Sequence, residues 1–312
     1  MDSLIHNVAT EFGLKCSKIS RARFGHSCAT THGLVLVQKF PKPHLEHILF
    51  SHEVKEYLFA NNFGTIDRNF TSKETGAPFV TAGGEVYVAC LAYDAPNADF
   101  SNSHEFLKIV SQLATFHKTL AGAQFAHTPN AQAKPTDASE IATQMQTLKK
   151  KIMKAGKFSD FDMLFLTAYE KFEGNIVQSG LFNDKIGHNN HICHNLLKEE
   201  NVYMASQPIF TNFARVAPGH FNDDLVYITK RYLKANPSGN LSLNQILNAY
   251  SKNHEINDFN SETFAQLLQF PDKFVKLSKD YYSKKRNFAP KAYITRMQEC
   301  LYRGEAIYNW LN

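Results

Sequence analysis

Cysteine is scarce and scattered in this chain. The five present (Cys16, Cys28, Cys90, Cys193 and Cys300) are odd in number and form no CxxC pair, which argues against a disulfide framework and against a zinc site. No run of about 18 apolar residues occurs, so neither a spanning helix nor a membrane partner is expected. The opening Met1-Asp2-Ser3-Leu4-Ile5-His6 carries an early acid and no apolar core, unlike a signal peptide, and predicts synthesis in the cytoplasm. Glycine is thin where a phosphate cradle would need it: Ala22-Arg23-Phe24-Gly25-His26-Ser27-Cys28 contains one. Internal repeats and low-complexity tracts are absent.

Among 312 residues, 43% are hydrophobic and 20% charged, which describes one large globular domain or two medium ones. The fourteen histidines are dispersed. His188, His191 and His194 recur every three residues in an Asn-rich stretch that lacks the partners of a ligand set, so no metal site is expected. Of the net charge of +5, all resides after residue 270, where nine Lys/Arg face four Asp/Glu. That tail is either the solvated side of two helices or a docking surface for an acidic partner. No recognised nucleic-acid motif accompanies it, so nucleic acid is not an expected partner.

Residues 1–93 read as a small mixed lobe. Leu34-Val35-Leu36-Val37-Gln38-Lys39-Phe40 is a β-rich run opened by Gly33 and broken by Pro41 and Pro43. A helix is predicted over 44–62, with Phe50, Val54, Tyr57 and Leu58 on one side. Strands over 77–81 and 85–93 should form a hairpin closed at Gly83-Gly84. The turn-rich 94–99 is the hinge candidate. Residues 94–312 then read as helical: 106–120, 139–154, 159–179, 223–235, 242–251, 261–269, 271–284 and 290–311, with an exposed connection over 123–136.

The stretch that carries chemistry is Ile192-Cys193-His194-Asn195-Leu196-Leu197-Lys198-Glu199-Glu200-Asn201-Val202, followed by Pro208-Ile209-Phe210-Thr211-Asn212-Phe213. Its spacing is that of a phosphotransferase catalytic loop, His-x-Asp-x4-Asn, then a short hairpin and a metal motif led by Asp. Leu196 stands at the position of the base, Asn201 at the Asn, and Asn212 at the metal Asp. Leucine takes no proton, and an amide oxygen is neutral where a hard cation prefers a carboxylate. Lys39 is the candidate for the lysine that grips ATP phosphates, with Glu53 as its helix partner. A slip of one residue would put Gln38 in the inward position instead. A surface lysine and a surface glutamate are the plainer alternative.

Other acids have weaker claims. Glu199 and Glu200 turn outward in the template, and Asp223-Asp224 read as an N-cap and a dipole-favoured acid at a helix start. His194 reads as architectural, bonding backbone near the metal motif. His117 reads as a satisfied core histidine. Tyr281-Tyr282 beside Lys284-Lys285-Arg286 is either packing or an interaction patch.

The order of elements and the loop resemble the two-lobed, protein-kinase-like α+β fold of aminoglycoside phosphotransferases and choline kinases, with a small β-rich N-lobe and a large helical C-lobe. Within it, five stretches together resemble the CotS family of spore coat proteins. These are Leu267-Leu268-Gln269-Phe270-Pro271-Asp272-Lys273-Phe274, Tyr281-Tyr282-Ser283-Lys284-Lys285, the terminal Ile307-Tyr308-Asn309-Trp310-Leu311, Leu113-Ala114-Thr115-Phe116-His117, and Asp224-Leu225. The resemblance implies made-in-the-mother-cell proteins that move to the endospore coat, with other coat proteins as partners. Together with Leu196 and Asn212 it leads to the expectation of a pseudokinase scaffold. His194, Leu196, Asn201 and Asn212 would be vestigial loop positions, Lys39 and Glu53 vestigial nucleotide candidates, and no cofactor would be held. An active ATP-dependent small-molecule or protein kinase with relocated acids, or a nucleotide-binding sensor, is the alternative.

Overall fold

A computed structural model describes residues 2–23, 25–40, 45–129, 138–183, 191–254, 261–283 and 290–312. His188, Pro41, Pro43, the second half of the 123–136 connection and the basic 284–286 lie outside them. By packing, the chain divides into two compact units. One comprises Met1–Ala131, Asn190–Asp224 and Ala249–His254; the other comprises Gln132–Asn189, Leu225–Asn248 and Glu255–Asn312.

The first unit is organised on a five-stranded antiparallel sheet. Its strands are β1 (Cys16–Ala22), β2 (Gly25–Thr30), β3 (Gly33–Phe40), β4 (Val80–Ala82) and β5 (Glu85–Leu91), in the order β1-β2-β3-β5-β4. The hairpin at Gly83-Gly84 forms as expected, whereas β1, β2 and the N-terminal helix α1 (Asp2–Glu11) were not anticipated. The strands alternate sides with period two. Val35, Val37, Tyr87 and Ala89 pack with Ile5, Val8 and Ala9 of α1 and with Phe12 just after it. Phe40, Val86 and Val88 pack on the other side with Ile48 of α2 (Leu45–Ala60).

After β5 comes α3 (Ser103–Leu120), started by Asn102, whose side chain accepts from the His104 and Glu105 amides. The residues expected on its inner side, Phe106, Ile109, Val110, Leu113, His117 and Leu120, are all buried. Later in the chain, short strands build the loop region: β6 (His191–Cys193) pairs with β9 (Ala217–Gly219), and β7 (Val202–Met204) pairs with β8 (Pro208–Phe210). The latter is the short hairpin that the sequence predicts.

The second unit is helical. It contains α4 (Ala138–Ala155), α5 (Asp160–Asn183), α8 (Ser261–Gln269), α9 (Asp272–Tyr282) and α10 (Pro290–Leu311), with most of α6 (Phe221–Ala235) and α7 (Leu243–Ser251). Its core joins Met145, Phe161, Phe165, Phe172, Phe274 and Met297. Tyr281 stacks on Phe161 with centroids 3.7 Å apart, and the Tyr282 hydroxyl donates to Asp162 at 2.7 Å. Both tyrosines are therefore packing residues, so the aromatic half of the suspected patch is spent internally. Among the described residues, no helix is long and apolar enough to cross a membrane.

Gly25 opens β2 at φ +151°, and a Cβ there would lie 2.2 Å from the Val37 carbonyl oxygen. Gly33 has φ +97° but open space around it. Gly25→Ala should therefore cost about 3 kcal/mol, through collision plus strain, and Gly33→Ala only about 1 kcal/mol, through strain alone. Urea unfolding of the two variants checks the ordering.

Candidate functional site

The loop is held from beneath by one carboxylate. Asp224, in the first turn of α6 and wholly buried, accepts from the His194 amide (2.6 Å) on Oδ2 and from the Asn195 amide (2.7 Å) on Oδ1. His117 of α3 reaches the same Oδ2 through Nε2 (3.2 Å), and its Nδ1 meets the Tyr250 hydroxyl at 2.7 Å. Burial works to raise the Asp224 pKa, but the His117 hydrogen bond and charge, with the His194 amide, outweigh it and hold the carboxyl below its ordinary range. Asn195 takes a left-handed φ of +59°, a conformation that asparagine tolerates better than most residues. Asp224 lies in the first turn of α6, as the dipole reading expects, and in addition it anchors the loop. The helix also begins two residues earlier than expected. Asp223 is consequently not the N-cap; it sits inside the first turn and accepts from the His220 amide (3.1 Å).

The four loop positions are brought together. His194 is fully buried; its Nε2–H donates to the Thr211 carbonyl at 3.1 Å, and Phe116, Phe210 and Phe213 surround its ring. The other ring nitrogen, Nδ1, has no hydrogen-bond partner among the described residues. Burial pushes the imidazole pKa down to about 4, against a smaller upward pull from Asp224. Asn201 donates through Nδ2 to the Leu196 carbonyl (2.8 Å) and accepts through Oδ1 from the Asn212 side-chain amide (3.2 Å). Thr211 ties back to the Asn201 carbonyl through both its amide (2.9 Å) and its hydroxyl (3.1 Å). Asn212 is itself left-handed, at φ +62°. Apart from His194 Nδ1, these side-chain groups bond to one another or to loop backbone.

Lys39 and Glu53 do not meet. The Lys39 ammonium is exposed and pairs with Glu85 at 2.9 Å, while Glu53 binds the ring and the amide of His127. The reason is register. Lys39 pairs with Tyr87, and Gln38 pairs with Val88 on the α2 side of the sheet, so Gln38 takes the inward position.

The cation on that side comes from α2. Lys55 is buried and forms an ion pair with Asp67 (2.9 Å); it donates to Asn69 Oδ1 (2.9 Å) and stands 5.1 Å from the Phe213 ring centre. Asp67 in turn accepts through Oδ2 from the Asn212 amide at 3.0 Å. It is placed there by an extended segment that bridges β8 at Ile66–Phe210 and β5 at Asn69–Cys90. What space is left, about 30 Å³, is lined by Gln38, Lys55, Asp67, Asn69, Asn212 and neighbours.

Sequence reasoning missed Lys55 and Asp67. A signal for Lys55 existed: Ile48, Ser51, Lys55 and Leu58 fall on one buried stripe, and a lysine there needs a partner. Asp67 lies in a segment without strand periodicity and gave no signal.

As a set, Asn201, Asn212 and Asp67 fit magnesium poorly. The one carboxylate is already matched to Lys55 and to backbone, and the two amides are bonded to each other. Elsewhere, ligand atoms of His117, Cys193 and Asp224 converge within 4.8 Å, a grouping that linear spacing hid. Each has a hydrogen-bond partner, and burial raises the Cys193 thiol well above its usual pKa, away from the thiolate a metal requires. Of the other acids considered, Glu200 faces Arg23 (3.6 Å) and Lys198 (3.8 Å).

The architecture is that of the kinase-like phosphotransferases. An aminoglycoside phosphotransferase from Alicyclobacillus acidocaldarius superposes with a TM-score of 0.76 at 14% identity, over 98% of this chain and 93% of that one. Spectinomycin phosphotransferase APH(9)-Ia, with ADP and spectinomycin, gives 0.68 at 12% identity over 98% of both chains. Choline kinase LicA from Streptococcus pneumoniae gives 0.55 at 13% identity over 99% of both. No curated protein sequence matches the chain. A family model described as "Spore coat putative kinase YutH" matches residues 5–312, and the chain belongs to that spore coat family.

Two outcomes follow from these networks. The unfolded chain takes up a proton at His194 below about pH 6.5, whereas the folded chain refuses it until about pH 4. Stability is therefore full above the unfolded value and falls on acidification, by about 3 kcal/mol between pH 7 and 4 from this residue. Urea unfolding across that range should show the fall, and His194→Gln should flatten it. Second, Lys55→Met leaves Asp67 buried without its cation and should cost about 3 kcal/mol, while Lys55→Met with Asp67→Leu should regain much of the loss. A double-mutant cycle in urea measures the coupling.

Proposed function

We propose that this chain is a catalytically inactive member of the kinase fold that serves as a structural, scaffolding component in assembly of the bacterial endospore coat. Membership of the spore coat family supports the location, from mother-cell synthesis to coat, and other coat proteins as partners. In this reading residues 1–93 form the N-lobe and 94–312 the C-lobe, and the basic helices α9 and α10 are the docking surface.

The observation that carries the inactivity is the Lys55–Asp67–Asn212 arrangement. Where a nucleotide and its metal would need a pocket of at least about 300 Å³, an internal ion pair leaves about 30 Å³. Leu196 has no proton-accepting group at the base position. Loss of a positioned base costs about 10²-fold or more, and loss of charge stabilisation a comparable factor.

Asp67 also favours a second reading, because it is a carboxylate one hydrogen bond from Asn212. A kinase using it would have to part Asp67 from Lys55 on binding nucleotide. Purified protein with magnesium and ATP separates these readings. We expect no ATP turnover and no rise in Tm, since a ligand that binds only the native state would stabilise it. Turnover that vanishes in Asp67→Asn would establish the kinase; a magnesium-dependent rise in Tm without turnover would establish a nucleotide sensor. A fluorescent fusion followed through sporulation should move to the coat, and one remaining in the mother-cell cytoplasm would refute the scaffold role.

A further inference from the structure

The second unit contains a pocket of about 300 Å³, the size of a small-ligand site. Its floor is apolar: Phe172 of α5, Leu233 of α6, Leu268 of α8 and Phe274 of α9 are all buried and all line it. Its rim is charged. Lys230, Lys234, Lys273 and Arg303 are set against only Asp272 and Glu299.

Both carboxylates are already matched. Lys230 donates to Asp272 (2.6 Å) and to the Phe270 carbonyl (2.8 Å), and Arg303 donates to Glu299 (3.2 Å). Lys234 and Lys273 are left with no hydrogen bond or ion pair among the described residues. Lys273 also feels loss of water around its ammonium, with Arg303 and Lys234 nearby, and these lower its pKa. Like charges gathered over a dry floor are unfavourable until an anion joins them.

The start of α9 adds to the same field. This helix runs for 11 residues, its N-cap is Pro271 with no side-chain cap bond, and Asp272, Lys273 and Phe274 of its first turn all line the pocket. The positive end of the helix dipole favours negative charge at this edge.

We propose that this pocket binds a small organic anion with an apolar body, the ring or chain resting on Leu233, Leu268 and Phe274 and the anionic head between Lys234 and Lys273. The site lies within the helical unit and does not depend on whether the kinase loop is active.

The test uses the full chain and 2-naphthoate in isothermal titration calorimetry, with uncharged 2-naphthalenemethanol as the comparison ligand. We expect saturable one-to-one binding of the naphthoate and at least about tenfold weaker binding of the alcohol. Lys273→Glu should weaken the naphthoate about tenfold or more without affecting the alcohol. Ala306→Trp, which places a large ring in the pocket wall, should abolish both while the circular dichroism spectrum stays native. Lys234→Glu provides the same charge reading should Lys273→Glu fail to fold. No saturation at low-millimolar naphthoate, equal affinity for acid and alcohol, or unchanged affinity in a folded rim variant would each overturn the proposal.

Discussion

A single buried carboxylate fixes the loop region. Asp224 has no contact with water, yet it receives two consecutive backbone amides of the loop and a histidine ring from α3. Carrying a charge into a dry interior is costly unless every lone pair is met. Here one donor, His117, lies 107 residues before Asp224 and the other two are the loop amides of His194 and Asn195, so the loop, α3 and the start of α6 must assemble together. His194 then takes its place against Phe213 and the Thr211 carbonyl, and Asn201 and Asn212 follow from the hairpin between them. The loop owes its conformation to this anchor.

The opposite side of the loop is governed by a second buried pair. A strand lysine facing a helix glutamate would be the arrangement suited to holding phosphates; this chain has Gln38 on the strand and Lys55 on the helix. The cation thus arrives from the other element, and it is matched inside the protein by Asp67 instead of outside it by a phosphate. Because Asp67 also holds the Asn212 amide, the pair links α2 to the segment after β8. Opening room for a ligand would expose or separate two charges whose desolvation has already been offset.

The sequence was most informative where local pattern decides structure. Helical periodicity placed α3 and its six inward residues, Gly83-Gly84 marked the hairpin, and the His-to-Asn spacing located the loop. It was silent where tertiary packing decides. Strands β1 and β2, with residues such as Lys18, Ser20 and Arg21 on a largely solvated edge, lack an apolar alternation to announce them. The inward position on β3 was ambiguous because a strand carries polar residues at both Gln38 and Lys39, and only pairing with Tyr87 and Val88 resolves it. Asp67 had no legible role because its segment lacks periodicity and one of its partners, the Asn212 amide, lies 145 residues downstream. His117 read correctly as a core residue, but its two partners, Tyr250 and Asp224, lie more than a hundred residues downstream.

Retention of a motif's frame is weak evidence for its chemistry, and this loop shows the physical reason. His194, Asn201 and Asp224 each satisfy buried polar groups, so replacing any one leaves a donor or acceptor stranded at a cost of about 1–3 kcal/mol. The base position is different in kind. Leu196 is only 9% exposed and offers a backbone carbonyl to Asn201, a bond that any side chain would permit. Its side chain adds apolar burial but makes no polar contact, so it does not share the hydrogen-bonding duty of the frame residues. An apolar group there costs the fold nothing and removes the only atom at that position able to accept a proton.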